Sequence, residues 1–170
     1  MSRKTTPTYV LLNQITLGAT ASSVVFSAIP QNYGDLVLVC RVQGTSSAGG
    51  LTFELQFNLD TGNSYHDIAM GASNGGAFSN SQSSVDGLRL NYMGSNGNEV
   101  SVFVAHIMDY SATDKHKTVL TRHSGTADGQ RTDAFAGRWA NTAAVTTVTV
   151  RPDANSIASG TTFSLYGVVA

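Results

Sequence analysis

Over residues 51–59 large apolar and polar side chains alternate without interruption: Leu51, Phe53, Leu55, Phe57 and Leu59 against Thr52, Glu54, Gln56 and Asn58. A two-residue period places the five large side chains on one face of a β-strand, with the polar ones on the other. At about 1.5–3 kcal/mol per fully buried large apolar side chain, that face contributes on the order of 10 kcal/mol. Shorter versions of the pattern predict ten further strands, at 9–17, 24–29, 36–42, 65–70, 88–92, 100–109, 118–123, 134–139, 145–151 and 162–168. Residues with turn chemistry separate them, at 30–34, Gly49-Gly50, 60–63, 96–98, Asp128-Gly129 and Pro152-Asp153. Glycine and asparagine tolerate positive φ there, and Asx side chains bond the backbone ahead of them. No segment carries a 3.6-residue apolar period long enough for a substantial helix. The expected fold is all-β: a two-sheet antiparallel β-sandwich of jelly-roll type.

Two of these strands are apolar on both faces. Leu36, Leu38, Cys40 and Val42 oppose Val37 and Val39, and Val100, Val102 and Val104 oppose Phe103, Ala105 and Ile107. A half-buried antiparallel strand needs one apolar face, so the second calls for a cover, either a loop or another subunit. For the subunit alternative the contact residues would be Val37, Val39, Phe103 and Ile107. Residues 1–8 are polar, contain Pro7 and lack an apolar anchor, which predicts a short N-terminal arm held by a neighbour, ahead of a single domain at 9–170. Residues 71–87, rich in Gly, Ser and Asn, are expected to form a long exposed loop.

Composition narrows the function. A chain of 170 residues and 17.8 kDa allows one domain with a sizeable core. With 19 Ser, 19 Thr, 17 Gly and 11 Asn and only 12% charged residues, it favours sheets and turns over charged helices. The net charge is −1 and the ten basic residues are scattered, which speaks against nucleic acid as a partner. The longest strongly apolar run, 36–40, is too short to cross a bilayer, so no membrane partner is expected. Arg3 and Lys4, residues 9–12 and Ala19-Thr20-Ala21 imitate a secretion leader, but Asn13, Gln14 and Thr16 break its apolar part, and no leader is expected.

No constellation carries catalysis. His66, His106, His116 and His123 lack metal-site spacing, and Cys40 is the single cysteine. His106 shares the face of Val102 and Val104 and reads as a core or interface histidine. No nucleophile elbow occurs among the serines. Asp60-Thr61-Gly62-Asn63 offers oxygens to calcium but is explained by a hairpin turn, since it lacks a downstream bidentate carboxylate. Tyr65, Tyr92, Tyr110 and Trp139 would suit a sugar platform, although aromatics in strands usually pack. The expectation is a non-enzyme with no catalytic residue, metal or cofactor.

Several stretches carry a resemblance. A strand ending Ser27-Ala28-Ile29-Pro30, the run Tyr33-Gly34-Asp35-Leu36-Val37-Leu38, a late Gly137-Arg138-Trp139 and a closing Phe163-Ser164-Leu165-Tyr166-Gly167 resemble a family of bacteriophage virion proteins. Together with 57–68 the similar stretches touch about half of the chain. The resemblance implies a β-sandwich, commonly trimeric, of the kind found in capsid decoration (cement) proteins and tail-fibre modules. It implies a homotrimer on the capsid surface of a virion, with the major capsid protein as partner; on that expectation the N-terminal arm makes Arg3, Lys4 and Tyr9 the candidate capsid contacts. The alternative it leaves open is a tail-fibre or receptor-binding module in which the 71–87 segment recognises host glycan.

Overall fold

The computed structural model describes residues 7–45, 50–73, 75–93, 100–125 and 131–170. They form twelve strands: β1 (Tyr9–Thr16), β2 (Val24–Phe26), β3 (Asp35–Gln43), β4 (Phe53–Phe57), β5 (Tyr65–Ser73), β6 (Gly76–Val85), β7 (Leu88–Arg89), β8 (Val100–Met108), β9 (Lys117–Gly125), β10 (Thr132–Trp139), β11 (Val148–Pro152) and β12 (Thr162–Val168). An eight-stranded sheet runs β1-β12-β3-β8-β9-β10-β5-β6, and a four-stranded sheet runs β2-β11-β4-β7.

The order is that of a jelly roll carrying two additions. β1 pairs with β12, β2 with β11, β3 with β8 and β4 with β7, all antiparallel. These four pairs are one long ribbon folded over on itself, which places alternate pairs in opposite sheets. The remaining strands are inserted between them: β5 and β6 form a hairpin before β7, and β9 and β10 another after β8. Both extend the larger sheet beyond its partner.

The core lies between the sheets. Leu36, Leu38, Cys40 and Val42 from β3 meet Phe53, Leu55 and Phe57 from β4, with Val148, Val150, Phe163 and Leu165 completing the layer. Trp139, Tyr65 and Phe57 pack as an aromatic group, with the Phe57 and Trp139 ring centres 5.4 Å apart. The motif glycines have packing reasons. A Cβ on Gly167 would lie 2.5 Å from the Tyr33 ring, and one on Gly137 would lie 2.7 Å from Leu88. Trp139 Nε1 donates to Asp60 Oδ2 at 2.7 Å, which with the Gly62 amide on Oδ1 holds this carboxyl below the usual range.

Several expectations need correction. Residues 71–87 are not a loop: they are the end of β5, the whole of β6 and a short connection. Between Phe78 and Val85, its two half-buried residues, β6 is polar and exposed, and its ladder with β5 satisfies the backbone without an apolar face to bury. Leu59 does not join the buried face; it is 65% exposed. Asn58 and Leu59 both have positive φ, and the Asp60 amide bonds the Phe57 carbonyl, so the chain reverses in a type I′ turn at that point. Asn58 ties this turn down, accepting from the Thr146 and Thr147 amides and donating to the Ala144 carbonyl. The strand expected at 88–92 shortens to β7, and that at 145–151 begins at Val148. Thr8, placed with the arm, already accepts a hydrogen bond from the Val169 amide.

Lys117, at the start of β9, is buried, and its Nζ donates to the carbonyls of Ala112, Lys115 and Thr142 at 2.7, 3.0 and 3.2 Å. Lys117→Met keeps the stem and strips the donors. Its expected cost is about 2 kcal/mol, read by chemical denaturation, because hydrogen bonds to charged groups contribute about 1.5–3 kcal/mol each and part of that is recovered by solvation.

Candidate functional site

The strand pairing fixes which side chains share each face of the large sheet. Leu36 opposes Ile107 and Cys40 opposes Phe103, so all four point into the core. Phe103 and Ile107 are 1% and 0% exposed, and neither can contact another subunit. This corrects half of the expected interface. Ser101, Phe103, Ala105 and Ile107 of β8 face the sandwich, while Val102, Val104 and the ionisable His106 point out.

Val37 and Val39 do lie on the outer face, half-buried. Across the strands one row runs Leu11, Tyr166, Val37, His106, Leu120, Ala136 and Ile68. The next runs Val39, Val104, Arg122, Ala134 and Met70. Leu11, Ile68, Met70, Val102 and Leu120 are 47–52% exposed. Isolated exposed apolar residues are ordinary, but a contiguous apolar surface across seven strands is not. Between Tyr9, Tyr166, Val37, Val39, Val104 and Leu120 the face dips into a groove of about 660 Å³.

Polar groups punctuate this surface. His106 Nε2 lies 2.9 Å from Asp35 Oδ2, and Asp35 Oδ1 also accepts the Asp109 amide, so the histidine's partner is a carboxylate rather than a carbonyl. Arg122 sits between Val104 and Ala134, Arg41 beside Val102, and Arg138 beside His66 and Thr118. The sequence offered a partial signal for this face in the alternation of His66, Ile68 and Met70, but it did not reveal that Leu120 and Arg122 lie beside them.

The opposite, inner side of the sheet extension is polar and closed. Arg89 binds Asp67 through Nε at 2.7 Å and through Nη2, and lies 5.4 Å from the Phe135 ring centre. Arg131 is held between the Phe78 and Tyr92 rings at 4.3 and 4.4 Å and donates from Nε to Asp133. His123 is wholly enclosed beside them; neither ring nitrogen has a hydrogen-bond partner among the described residues, and Nδ1 lies 3.8 Å from Asp133 Oδ2. Burial, aided by Arg131, pushes the His123 imidazole down to about 4. Burial also raises Asp133, against the pull of Arg131.

The strand aromatics pack, as their positions suggested, and form no sugar platform: Tyr65, Tyr110 and Trp139 are buried and Tyr92 lies under Arg131. Among the described residues no group of three or more His, Cys, Asp or Glu side chains is placed to hold a metal ion. Tyr9 begins β1 at the rim of the groove and is 57% exposed; Arg3 and Lys4 lie outside the described residues. No protein-family model matches the chain, and no curated protein matches it in sequence.

Proposed function

We propose that this protein is a structural component of a bacteriophage particle, a homotrimer that sits on the outer surface of the capsid and stabilises the shell. One observation carries the reading: a sandwich whose core is already closed presents a second apolar surface, on the outside of its larger sheet. Apolar area at about 25 cal/mol per Å² drives association when a complementary surface is available. The family resemblance supplies the setting, and the jelly roll is an architecture that viral shells use.

The mechanism is linkage. A protein that binds neighbouring capsid subunits only when they are assembled shifts the equilibrium toward assembly by RT ln(1 + [L]/Kd), about 2.7 kcal/mol per site at a hundredfold excess over Kd. In this reading the outer face of the large sheet joins the copies, while Arg3, Lys4 and Tyr9 meet the major capsid protein.

Leu120→Asp tests the first part. Leu120 is half exposed, so the fold is expected to survive with an unchanged circular dichroism spectrum, while sedimentation equilibrium moves from trimer to monomer. Deletion of residues 2–8 tests the second, with reduced occupancy on purified shells as the expected result. A wild-type chain that stays monomeric and leaves shells bare would end the reading.

A further inference from the structure

Eight basic residues lie in the described parts of the chain, and they divide by position. Arg89, Arg131, Arg151 and Lys115 each pair with a carboxylate, and Lys117 is enclosed by carbonyls. Arg41, Arg122 and Arg138 have no carboxylate partner among the described residues, and all three are exposed on the outer face of the large sheet. The one acidic residue on that face among the described residues, Asp35, is engaged by His106. Elsewhere in the described residues five basic side chains stand against eight acidic ones.

A cluster of acidic residues lies on the other sheet, around the first half of β4. Glu54 and Asp86 share the single guanidinium of Arg151, at 2.7 and 2.8 Å, and Asp153 stands close by, bonded to the Thr52 amide. Burial raises the Glu54 carboxyl against the pull of Arg151, and Asp86 and Asp153 raise it further. The molecule is thus apolar and positive on one surface and negative on another.

We infer that, in the assembly proposed above, a neighbouring copy of this chain presents the half-exposed Asp86 and the exposed Asp153, backed by Glu54, to Arg41, Arg122 and Arg138. The inference rests on the self-association reading and names its electrostatic partner. Contact of the arginine face with its own copy about a two-fold axis would bring six guanidiniums together with only two carboxylates to offset them. Like charges across an interface cost several kcal/mol, whereas a head-to-tail contact pairs opposite signs and closes into a ring if the rotation permits. The area suffices: eight strands about 4.8 Å apart and about eight residues long give a face on the order of 900 Å², against about 800 Å² per partner in a standard stable interface.

Complementation of the full-length chain tests this. R122E and D86K are each expected to lose at least tenfold in self-association by sedimentation velocity, with melting temperatures close to wild type. An equimolar mixture is expected to associate again, since the intact arginine face of D86K accepts the intact acidic edge of R122E. R41E and D153N provide a second pair should either first variant melt early. Wild-type assembly that D86K and D153N leave intact, or a mixture that stays monomeric, overturns the inference and leaves the assembly reading standing. A wild-type chain that is monomeric at high concentration removes both.

Discussion

Phe53→Asp is expected to yield no folded protein: no cooperative thermal transition, and a far-ultraviolet spectrum without sheet. Phe53 is fully buried at the start of β4, its ring 6.2 Å from that of Phe103 on the facing sheet and its amide bonded to the Asn91 side chain at 2.9 Å. The ring therefore joins the two layers, and the backbone beside it anchors the segment after β7. Truncation to alanine costs about 3–5 kcal/mol, from lost transfer energy and the cavity left behind. An aspartate there adds to that loss the cost of protonating and burying a carboxyl with no partner, and the sum reaches the roughly 5–15 kcal/mol that stabilises a typical domain. A soluble, cooperatively melting Phe53→Asp protein would show that the sheets are held together elsewhere. Phe53→Leu, which keeps most of the volume, is expected to fold and to melt below wild type.

The second large effect is acid sensitivity. His123 is neutral in the folded protein, with its pKa pushed down to about 4, while in the unfolded chain it titrates near 6.5. As pH falls through that window the unfolded state takes up a proton that the folded state refuses, so stability falls. The loss is complete below about pH 4 and amounts to about 3 kcal/mol. Asp133 and Glu54, both raised by burial, act in the opposite sense, since their folded forms bind protons more readily than the unfolded chain. A comparison of variants separates the contributions. In His123→Gln the dependence of unfolding free energy on pH between 6.5 and 4 is expected to flatten or reverse relative to wild type. Equal slopes in the two proteins would mean that His123 exchanges protons freely in the folded state.

Residues brought together from distant parts of the chain account for both effects, and this marks the boundary of what the sequence made legible. The motifs behind the family resemblance turn out to be packing devices. Tyr33 lies over Gly167, Trp139 reaches Asp60, and Asp35 holds His106, each pair linking one end of the chain to another. Such partnerships are three-dimensional, so a single sequence shows the residues without showing the pairs.

The alternation of large and polar side chains by itself determined eleven of the twelve strands and the two-sheet class, because a period of two leaves one face of each strand to be buried. It also determined that β3 and β8 have more apolar surface than one core requires. Tertiary structure decided which side of β8 turned inward: the hydrogen-bond register with β3 set Phe103 beside Cys40, and Val104 fell on the outside with Val39. It decided that residues 76–85 are a strand, since backbone pairing with β5 needs no apolar signal in the side chains. It decided, too, that Arg41, Arg122 and Arg138 share one surface on which Asp35, among the described residues, is already engaged by His106, because charges far apart in sequence acquire neighbours only when the sheet is assembled.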